Sequence, residues 1–491
     1  MSKVVVVGDV MLDVTVECDV SRVSPEAPVV VGREQSRTIA LGGAANVAAN
    51  LKSLGVDEVD LYGDCGNDAA AGEIAELCAS AGINYYNART HSSGTDGATV
   101  KTRYTANAQL IFRHDVDRVG HCTEGDRARN SDTVTLEGAD AVVFSDYNKG
   151  VVQVYGPGAI MERASALGIP RVVDCKPVNL PAFRGATIIT PNAAELATMC
   201  DLYLPSAKDP GMLASIYDFE WVVCTKGSLG LKAYTRPGLR SSKIVIPMEH
   251  ARKVYDVAGA GDVVVAAIAS RVAATAQEPF RECLQFANTA AGLSVEQPGT
   301  TTVSFAAVGA AQAQDHVLSK IVKHEPQTTG VSPRYTLPTE GIASRVARRA
   351  AGSSVVFTNG CFDLLHPGHV HLLREARRMG GFLVVAVNTD KSVRALKGTE
   401  RPILPLHLRM AALAALDVVD LVVCFDEETP EALIRAIEPD VLVKGKHTTD
   451  CPYKNAPVPG AAFMEAGGKK VMFVDTLPGY STTAVLAGCV S

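Results

Sequence analysis

The sequence predicts an α/β protein made of two domains, and three observations indicate it. The 491 residues exceed what a single hydrophobic core normally organises. Short Val- and Ile-rich runs alternate with Ala-rich stretches, which is typical of strands joined by helices in a largely parallel sheet. A polar, Thr- and Pro-rich segment interrupts this alternation at 327–340.

Strand and helix signals follow one another through the first domain. The opening VVVVGD predicts a strand and AANVAANLKSLG a helix, and VDLYGD and AAGEIAELCASAG repeat the pair. Further strands are predicted at ADAVVFSDY, RVVDCKP, ATIITPN and WVVCTKG. This alternation predicts an αβα sandwich, a parallel sheet with helices on both faces.

The second domain repeats the pattern on a smaller scale. Strands are predicted at SSVVFTNG, FLVVAVNTD, DLVVCF and DVLVKG, and a helix over HPGHVHLLREARRMG. We expect a small doubly wound, Rossmann-like unit. The predicted boundaries are 1–318 for the first domain, 319–347 for a linker and 348–491 for the second domain.

Composition excludes several classes of partner. A net charge of −6 with interspersed signs provides no basic stripe for nucleic acid and no polybasic face for a membrane. No apolar run reaches the roughly 18 residues of a membrane span, and the N-terminus lacks the apolar core of a signal peptide. The twelve cysteines are scattered without a C-x-x-C pair, so we expect reduced thiols and a cytoplasmic location.

A Gly-rich turn runs directly into an apolar helix at 256–270 (DVAGAGDVVVAAIAS). Gly259, Ala260 and Gly261 carry no bulky side chains, so their N–H groups can converge on an anion at the helix N-terminus. Asp262, in the first turn, is placed to accept a proton from a hydroxyl that attacks a γ-phosphate. The alternative is that Asp262 only caps the helix after a tight turn.

Further polar groups follow predicted strands, at the edge where open parallel sheets bind ligands. Asn192 and Glu195 begin a helix and could organise Mg²⁺ around nucleotide phosphates, with Glu195 as the candidate metal ligand. The candidates for binding a polyol substrate are Asp9, Asp13, Gly42, Gly43 and Asn46.

In combination and order, GDVMLD, GGAANVAANLKSLG, TPNAAE, CTKGSLG, DVAGAGD and ANTAAG resemble the ribokinase-like sugar kinases over about residues 1 to 315. The resemblance implies Asp262 as catalytic base and Gly259–Gly261 as anion hole. It implies an ATP and Mg²⁺ site that includes Asn192, Glu195 and Asn288. SRVSPEAPVV and SDYNKG resemble more narrowly the kinases that phosphorylate C1 of a heptose 7-phosphate.

Cationic and polar residues occupy TVKTRYTANAQLIFRHD, where we predict one strand. Alternation along a strand places several of them on one face, which would suit the phosphate already on the substrate. Arg103 is the candidate substrate-binding residue, and a solvated edge strand is the alternative. The set comprises Thr99, Lys101, Arg103, Asn107, Gln109 and Arg113.

The stretch VVFTNGCFDLLHPGHVHLLREA carries a second nucleotide signature: a strand ending at Thr358, a loop with Gly360, and a helix that begins within HPGH. His366 and His369 flank that beginning. Imidazoles beside free helix N–H groups can bind a triphosphate and stabilise charge at the α-phosphorus. A zinc site formed by both histidines with His371 is the alternative.

The complete His-x-Gly-His motif makes residues 350–491 similar to the cytidylyltransferase-like nucleotidyltransferases. The resemblance implies that His366 and His369 are catalytic. The residues it places around the nucleotide are Thr358, Gly360, Arg409, Lys444, Ser481, Thr482 and Thr483. Asn388 and Asp390, at the end of a strand, are candidates for the acceptor sugar phosphate. We expect adenylyl transfer to respond to pH near the ordinary His pKa of about 6.5 more than the kinase does.

The order of the two domains resembles the family of bifunctional heptose 7-phosphate kinases and heptose 1-phosphate adenylyltransferases. It implies ATP-dependent phosphorylation at C1 with Mg²⁺, then transfer of AMP from ATP to heptose 1-phosphate, giving ADP-heptose and pyrophosphate. We expect sugar phosphates and ATP as partners, neither nucleic acid nor membrane, and a homo-oligomer, specifically a dimer. The alternatives are the same chemistries on another sugar or nucleotide, and a C-terminal domain that only senses nucleotide.

Overall fold

The computed structural model divides the chain into two compact units, Met1–Gln312 and Ala313–Ser491. The α/β class predicted from the sequence is confirmed. The described residues are 2–88, 97–107, 109–118, 124–204, 209–236, 243–247, 254–274, 279–319, 321–324, 336–337, 342, 346, 350, 352–446, 458–475 and 477.

The first unit contains a nine-stranded sheet among its described residues, in the order β13-β12-β11-β10-β9-β8-β1-β4-β5, and a separate four-stranded sheet, β3-β2-β6-β7. The strands are β1 Lys3–Gly8, β2 Val10–Val23, β3 Val30–Gly43, β4 Glu58–Gly63, β5 Asn84–Asn87, β6 Thr99–Ala106, β7 Gln109–Val116, β8 Ala141–Ser145, β9 Arg171–Asp174, β10 Ile188–Ile189, β11 Trp221–Thr225, β12 Leu231–Tyr234 and β13 Lys243–Ile246.

Helices cover both faces of the large sheet. They are α1 Ala44–Ser53, α2 Ala69–Ser80, α3 Glu124–Thr133, α4 Val151–Tyr155, α5 Pro157–Ala166, α6 Ala193–Tyr203, α7 Pro210–Tyr217, α8 Ala260–Ala274, α9 Phe280–Ser294 and α10 Phe305–Ser319, with 3-10 turns at Pro177–Phe183 and Gly227–Leu229. The central strand β1 explains the sandwich. Val4 and Val6 belong to one core, whereas Val5 and Val7 belong to the other, because successive side chains point to opposite faces.

The four-stranded sheet has one apolar and one polar face. Leu12, Val14 and Val16 of β2 are buried in the core, so the intervening residues of β2 face the other way. Cross-strand register places Lys101 opposite Asp13, and Arg103 opposite Arg113. The cationic residues predicted to share a face therefore lie on the polar face of this sheet.

The prediction of one strand over TVKTRYTANAQLIFRHD was wrong. The stretch forms a hairpin, in which β6 and β7 pair antiparallel. Asn107 lies between them with a φ of 49°, in the left-handed region that asparagine tolerates well and that a tight reversal uses. The asparagine was the sequence signal for this turn.

The second unit contains a seven-stranded sheet among its described residues, in the order β15-β14-β18-β17-β16-β19-β20. The strands are β14 Ile321–His324, β15 Thr336–Leu337, β16 Val355–Gly360, β17 Phe382–Asn388, β18 Leu421–Phe425, β19 Val441–Lys446 and β20 Lys470–Asp475. The helices are α11 Pro367–Arg378, α12 Asp390–Lys397, α13 Leu406–Ala414, α14 Glu431–Ile437 and α15 Ala461–Ala466. The described pairings are parallel, as expected for a doubly wound unit.

The segment predicted as a linker, 319–347, contains parts of this second sheet. β14 pairs in parallel with β18, and β15 pairs with β14. The division between the units falls after Gln312, within the span of α10. Polar Thr- and Pro-rich composition therefore did not exclude edge strands here. Within the described part of the chain, no helix is both long and apolar enough to cross a membrane.

Candidate active sites

Asp262 lies where the sequence predicts it, in the first turn of α8. Gly259 precedes the helix with a φ of +74°, which favours glycine, and its carbonyl accepts a hydrogen bond from the N–H of Val263 at 3.0 Å. A Cβ on Gly259 would lie 2.8 Å from Nδ2 of Asn46 and 3.0 Å from the Thr300 side chain. The first N–H groups of the helix have no acceptor inside it, so this end of α8 can bind an anion.

The Asp262 carboxylate is buried and held by two side chains. Its Oδ2 accepts a hydrogen bond from Nδ2 of Asn46 at 2.8 Å, and its Oδ1 accepts one from the Tyr147 hydroxyl at 2.6 Å. Burial raises the pKa of Asp262 to about 6, although both hydrogen bonds act to lower it. A carboxylate with such a pKa is charged at neutral pH and can still take up a proton, as a general base must.

Asp13 and Arg103 meet on the polar face of the four-stranded sheet. Arg103 Nη1 lies 3.1 Å from Asp13 Oδ1, and the Thr300 hydroxyl donates to Asp13 Oδ2 at 2.7 Å. Asp13 also contributes to raising the pKa of Asp262, so the two carboxylates share one site. The structure thus brings together two predicted substrate-binding residues and the predicted base.

Asp9 has a different environment from the one predicted. Its carboxylate accepts hydrogen bonds from the backbone N–H groups of Tyr147, Lys149 and Val151, at 2.7, 3.0 and 2.9 Å. Only 5% of the residue is exposed, and burial raises its pKa to about 6. These contacts give Asp9 a role in holding the loop after β8, and its binding of a sugar hydroxyl stays a prediction.

Gly42 and Gly43 allow the end of β3 to pass close to β2. A Cβ on Gly42 would lie 2.8 Å from the Met11 side chain, and one on Gly43 would lie 2.4 Å from the carbonyl oxygen of Asp9. Gly43 also has a φ of +56°. The two glycines therefore place α1, and with it Asn46, against Asp262.

Asn192 and Glu195 form a helix cap. Asn192 Oδ1 accepts from the N–H groups of Ala194 and Glu195, and Glu195 Oε2 accepts from the N–H of Asn192. The other oxygen of Glu195 lies 2.6 Å from the ammonium of Lys176. A Mg²⁺ ion at Glu195 would share that carboxylate with both partners. Asn288, buried in α9, donates to the carbonyl of Pro247 at 3.2 Å.

Three residues at this site were missed as individual candidates: Tyr147, Lys176 and Thr300. Tyr147 contacts the base directly, and the ammonium groups of Lys101 and Lys176 lie 5.0 and 5.1 Å from the centre of its ring. Tyr147 lies in SDYNKG, a motif visible in the sequence. The spacing of that motif alone does not reveal that the tyrosine contacts the base. Thr300 lies 287 positions from Asp13, a pairing visible only in the fold.

In the second unit, His366 and His369 lie side by side at the start of α11. His366 is the N-cap residue, and the two rings stack with centroids 3.8 Å apart. The Nδ1 atoms of both rings are buried without a hydrogen-bond partner among the described residues. Burial lowers the pKa of His369 to about 4, and the neighbouring His366 adds to that effect. The two stacked imidazoles thus occupy the start of α11, where free helix N–H groups can bind an anion.

The strand before this helix, β16, also contains a buried polar group without a hydrogen-bond partner among the described residues. Thr358, in β16, is fully buried, and its hydroxyl has no hydrogen-bond partner among the described residues. Gly360 ends the strand, and a Cβ there would lie 3.2 Å from the ring of Phe362. Phe362 itself packs on His369, with ring centroids 5.1 Å apart. Thr358 and Gly360 thus lie on the element that leads into the histidine loop.

Lys444 lies within β19, the strand that pairs with β16. Its ammonium donates to Oδ1 of Asn359, and burial lowers its pKa to about 8. None of the described ion pairs involves it. A buried ammonium without an acidic partner is suited to an anionic ligand.

Arg409 is fully engaged within the protein. It is 1% exposed, and its three nitrogens donate to the carbonyls of Leu404, Cys361 and Asn388 and to the carboxylate of Asp390, at 2.6 to 3.0 Å. These contacts tie together the loops at the ends of β16 and β17. They support a structural role for Arg409, and its contact with nucleotide stays a prediction.

Asn388 and Asp390 also make internal contacts. The Asn388 amide donates to the hydroxyl of Ser392 at 3.0 Å, and Asp390 pairs with Arg409 at 2.8 Å. Ser481, Thr482 and Thr483 lie outside the described residues. Across the described ranges, no group of three His, Cys, Asp or Glu side chains is arranged to hold a metal ion, including the set with His371.

Comparisons with known proteins match both units. The pfkB family carbohydrate kinase model matches residues 1–306, and the cytidylyltransferase-like model matches residues 357–483. The chain is 38% identical to the bifunctional protein HldE of Azorhizobium caulinodans over 99% of this chain and 98% of that protein. It is 39% identical to the HldE protein of Halorhodospira halophila, over 99% and 96% of the two chains.

Solved structures show the fold of the first unit. Phosphofructokinase-2 from Escherichia coli in complex with potassium superposes with a TM-score of 0.51 and 17% identity, over 64% of this chain and 99% of that chain. The same enzyme in complex with substrates and products gives the same score, identity and coverage. At this identity the likeness concerns architecture alone.

Proposed function

The chain belongs to the HldE family of bifunctional proteins, and from this premise we propose how its residues carry out two reactions. The first unit is a sugar-phosphate kinase that transfers the γ-phosphate of ATP to C1 of heptose 7-phosphate. The second unit is a nucleotidyltransferase that transfers AMP from ATP to heptose 1-phosphate, giving ADP-heptose and pyrophosphate. The observation that carries the proposal is the buried carboxylate of Asp262 at the N-terminus of α8, beside Gly259.

In the kinase reaction, Asp262 accepts the proton of the C1 hydroxyl. The hydroxyl oxygen bonds to the γ-phosphorus while the bond to the β-phosphate oxygen breaks, and ADP leaves. The N–H groups at Gly259–Gly261 stabilise the charge on the transferred group. Asp13 and Arg103 bind the sugar phosphate from the polar face of the four-stranded sheet, where Arg113 lies opposite Arg103 and is itself paired with Asp115.

In the nucleotidyl transfer, the sugar phosphate oxygen attacks the α-phosphorus and pyrophosphate leaves, without a covalent intermediate on the protein. His366 and His369 donate hydrogen bonds to the phosphates from the start of α11, and Lys444 neutralises charge. The stacking of the two rings at the start of α11 supports this assignment, because it places both imidazoles beside the free helix N–H groups.

The kinase also requires Mg²⁺ in our proposal, and the protein residues fit a metal that arrives with ATP. The Glu195 carboxylate already pairs with Lys176 and accepts a hydrogen bond from the N–H of Asn192. A metal ion could therefore use this carboxylate only by sharing it with those two groups. Mg²⁺ typically keeps several waters and binds through one or two carboxylates together with substrate phosphates. It supplies neutralisation of phosphate charge when bound.

We propose that the protein is a homodimer joined through the four-stranded sheet. Apolar side chains remain exposed at the two outer strands of this sheet, β3 and β7, and an exposed apolar edge strand can pair with another chain. They are Val29, Val30, Leu110, Ile111 and Phe112, each between 41% and 59% exposed. Light scattering after size-exclusion chromatography would measure the mass, and a monomer would contradict this proposal.

The two activities are tested together by product analysis. The parent protein, incubated with ATP, CTP or GTP and a panel of hexose and heptose phosphates, should yield heptose 1,7-bisphosphate and ADP-heptose, identified by mass. Asp262→Asn should lower the kinase rate by about 10²- to 10⁴-fold while nucleotide binding persists. Asp132→Asn, an exposed position on α3, is the matched control. ATP binding by the second unit without pyrophosphate release would favour a nucleotide sensor.

A further inference from the structure

Tyr147 contacts the proposed base of the kinase site and takes no direct part in the proposed phosphoryl transfer. It lies in the loop between β8 and α4, and its hydroxyl donates to Oδ1 of Asp262 at 2.6 Å. Lys101 and Lys176 approach its ring to 5.0 and 5.1 Å from the centroid. These are cation–π distances, so both ammonium groups interact with the phenol ring.

The backbone of Tyr147 is fixed as well. Its N–H donates to the buried carboxylate of Asp9 at 2.7 Å, and the same carboxylate binds the N–H groups of Lys149 and Val151. Asp9 directly follows the central strand β1. Its backbone N–H donates a hydrogen bond to the carbonyl oxygen of Ser145, at the end of β8. The tyrosine hydroxyl is therefore aimed at Asp262 from the rigid centre of the sheet.

We infer that Tyr147 is a positioning residue for the kinase reaction, which with Asn46 fixes the plane of the Asp262 carboxylate. The inference rests on the proposed role of Asp262 as base. Each carboxylate oxygen has a second acceptor site, so one oxygen can receive the C1 hydroxyl proton while its hydrogen bond from Tyr147 or Asn46 is kept. With two donors on two oxygens, rotation of the carboxylate would break both bonds.

Tyr147 also favours the charged form of Asp262, which is the form that accepts a proton. Burial and the carboxylate of Asp13, on β2, raise the pKa of Asp262, whereas the bonds from Tyr147 and Asn46 and the ammonium of Lys101, on β6, lower it. Asp174, at the end of β9, also faces Asp262. Removal of the Tyr147 hydroxyl should raise the pKa of Asp262, so the acid limb of the kinase profile should move to higher pH.

The test is Tyr147→Phe in the full chain, which keeps the ring near both lysines and removes only the hydroxyl. We expect kcat of the kinase to fall by roughly 10- to 100-fold, with little change in KM for ATP. The acid limb of the kcat profile should move up by about one pH unit. Tyr155→Phe is the control, because its hydroxyl donates to the carbonyl of Gly63 and does not contact Asp262.

The outcomes separate this inference from the proposed function. A Tyr147→Phe kinase with the parent's kcat and an unmoved acid limb, alongside an inactive Asp262→Asn protein, would overturn the inference and leave Asp262 as base. A higher kcat in Tyr147→Phe would also overturn it, because the tyrosine would then obstruct the base. An active Asp262→Asn kinase would overturn both. Unchanged adenylyl transfer and an unchanged unfolding temperature confirm that the variants are folded.

Discussion

At the scale of residues, burial acts in opposite directions on the ionisable groups of the two sites. It raises the pKa of Asp262 to about 6 and lowers the pKa of His369 to about 4. Burial lowers the pKa of His366 as well. Around neutral pH the carboxylate is charged, as a base requires, and both imidazoles are neutral. The expectation that adenylyl transfer responds to pH near 6.5 more than the kinase does is therefore reversed.

We predict that kcat/KM of the kinase falls as pH is lowered through about 6, because protonated Asp262 cannot accept the substrate proton. The kcat/KM of adenylyl transfer should stay nearly level between pH 6.5 and 7, where His369 stays neutral, and should fall towards pH 8 as Lys444 loses its proton. Both profiles can be measured on one preparation, by ADP and by pyrophosphate release. An adenylyl transfer profile that breaks near 6.5 would contradict the low histidine pKa values.

Substitutions in the same helix provide the matched controls. His366→Ala and His369→Ala should each depress pyrophosphate release and leave the kinase unchanged. His371→Ala, two residues further along α11, should leave both activities intact. If all three variants lose pyrophosphate release equally, and zinc copurifies with the parent protein but with none of the variants, the metal site is supported instead.

At the scale of elements, the beginning of α8 depends on a residue without a side chain. Gly259→Ala should abolish most kinase activity and lower the free energy of unfolding by about 1–3 kcal/mol, because its Cβ meets Asn46 and its φ of +74° is strained for alanine. Thermal unfolding and ADP release measure the two effects. Gly55→Ala is the control, since Gly55 has a φ of +92° and open space around it. It should lose stability and keep kinase activity.

Elements with a strong period could be predicted, and those set by a turn or by a distant partner could not. The valine run of β1 and the helices after Gly43 and His366 follow directly from the apolar pattern, and Pro367 marks the first turn of the second helix. The β6–β7 reversal depended on one asparagine within a run that alternates throughout. The contacts of Asp9 and Arg409 required the fold, because their partners lie 138 to 142 and 5 to 48 positions away.

At the scale of the whole molecule, each unit has its own sheet and its own cores. We therefore predict that residues 1–312 retain the kinase and residues 313–491 retain adenylyl transfer when expressed separately. A fragment that starts at 348 should unfold at a lower temperature than one that starts at 313, because it lacks β14 and leaves the edge of β18 unpaired. Circular dichroism and the two assays compare them.

Two results would revise this view of the chain. If both fragments are folded but one of them has lost its activity, the site in that fragment depends on contact between the units. Equal unfolding temperatures for the fragments that start at 313 and 348 would show that β14 contributes nothing measurable, and would support a linker over 319–347.

The ammonium of Lys444, which has no acidic partner among the described residues, has a consequence for the heat of nucleotide binding. With a pKa of about 8, roughly half of these side chains lack a proton at pH 8. A triphosphate would raise that pKa, so ATP should draw protons from the buffer as it binds. Titration calorimetry in Tris and in phosphate, whose ionisation enthalpies differ, should yield different apparent enthalpies at pH 8 and converging ones at pH 6.5. In Lys444→Met the buffer dependence at pH 8 should disappear.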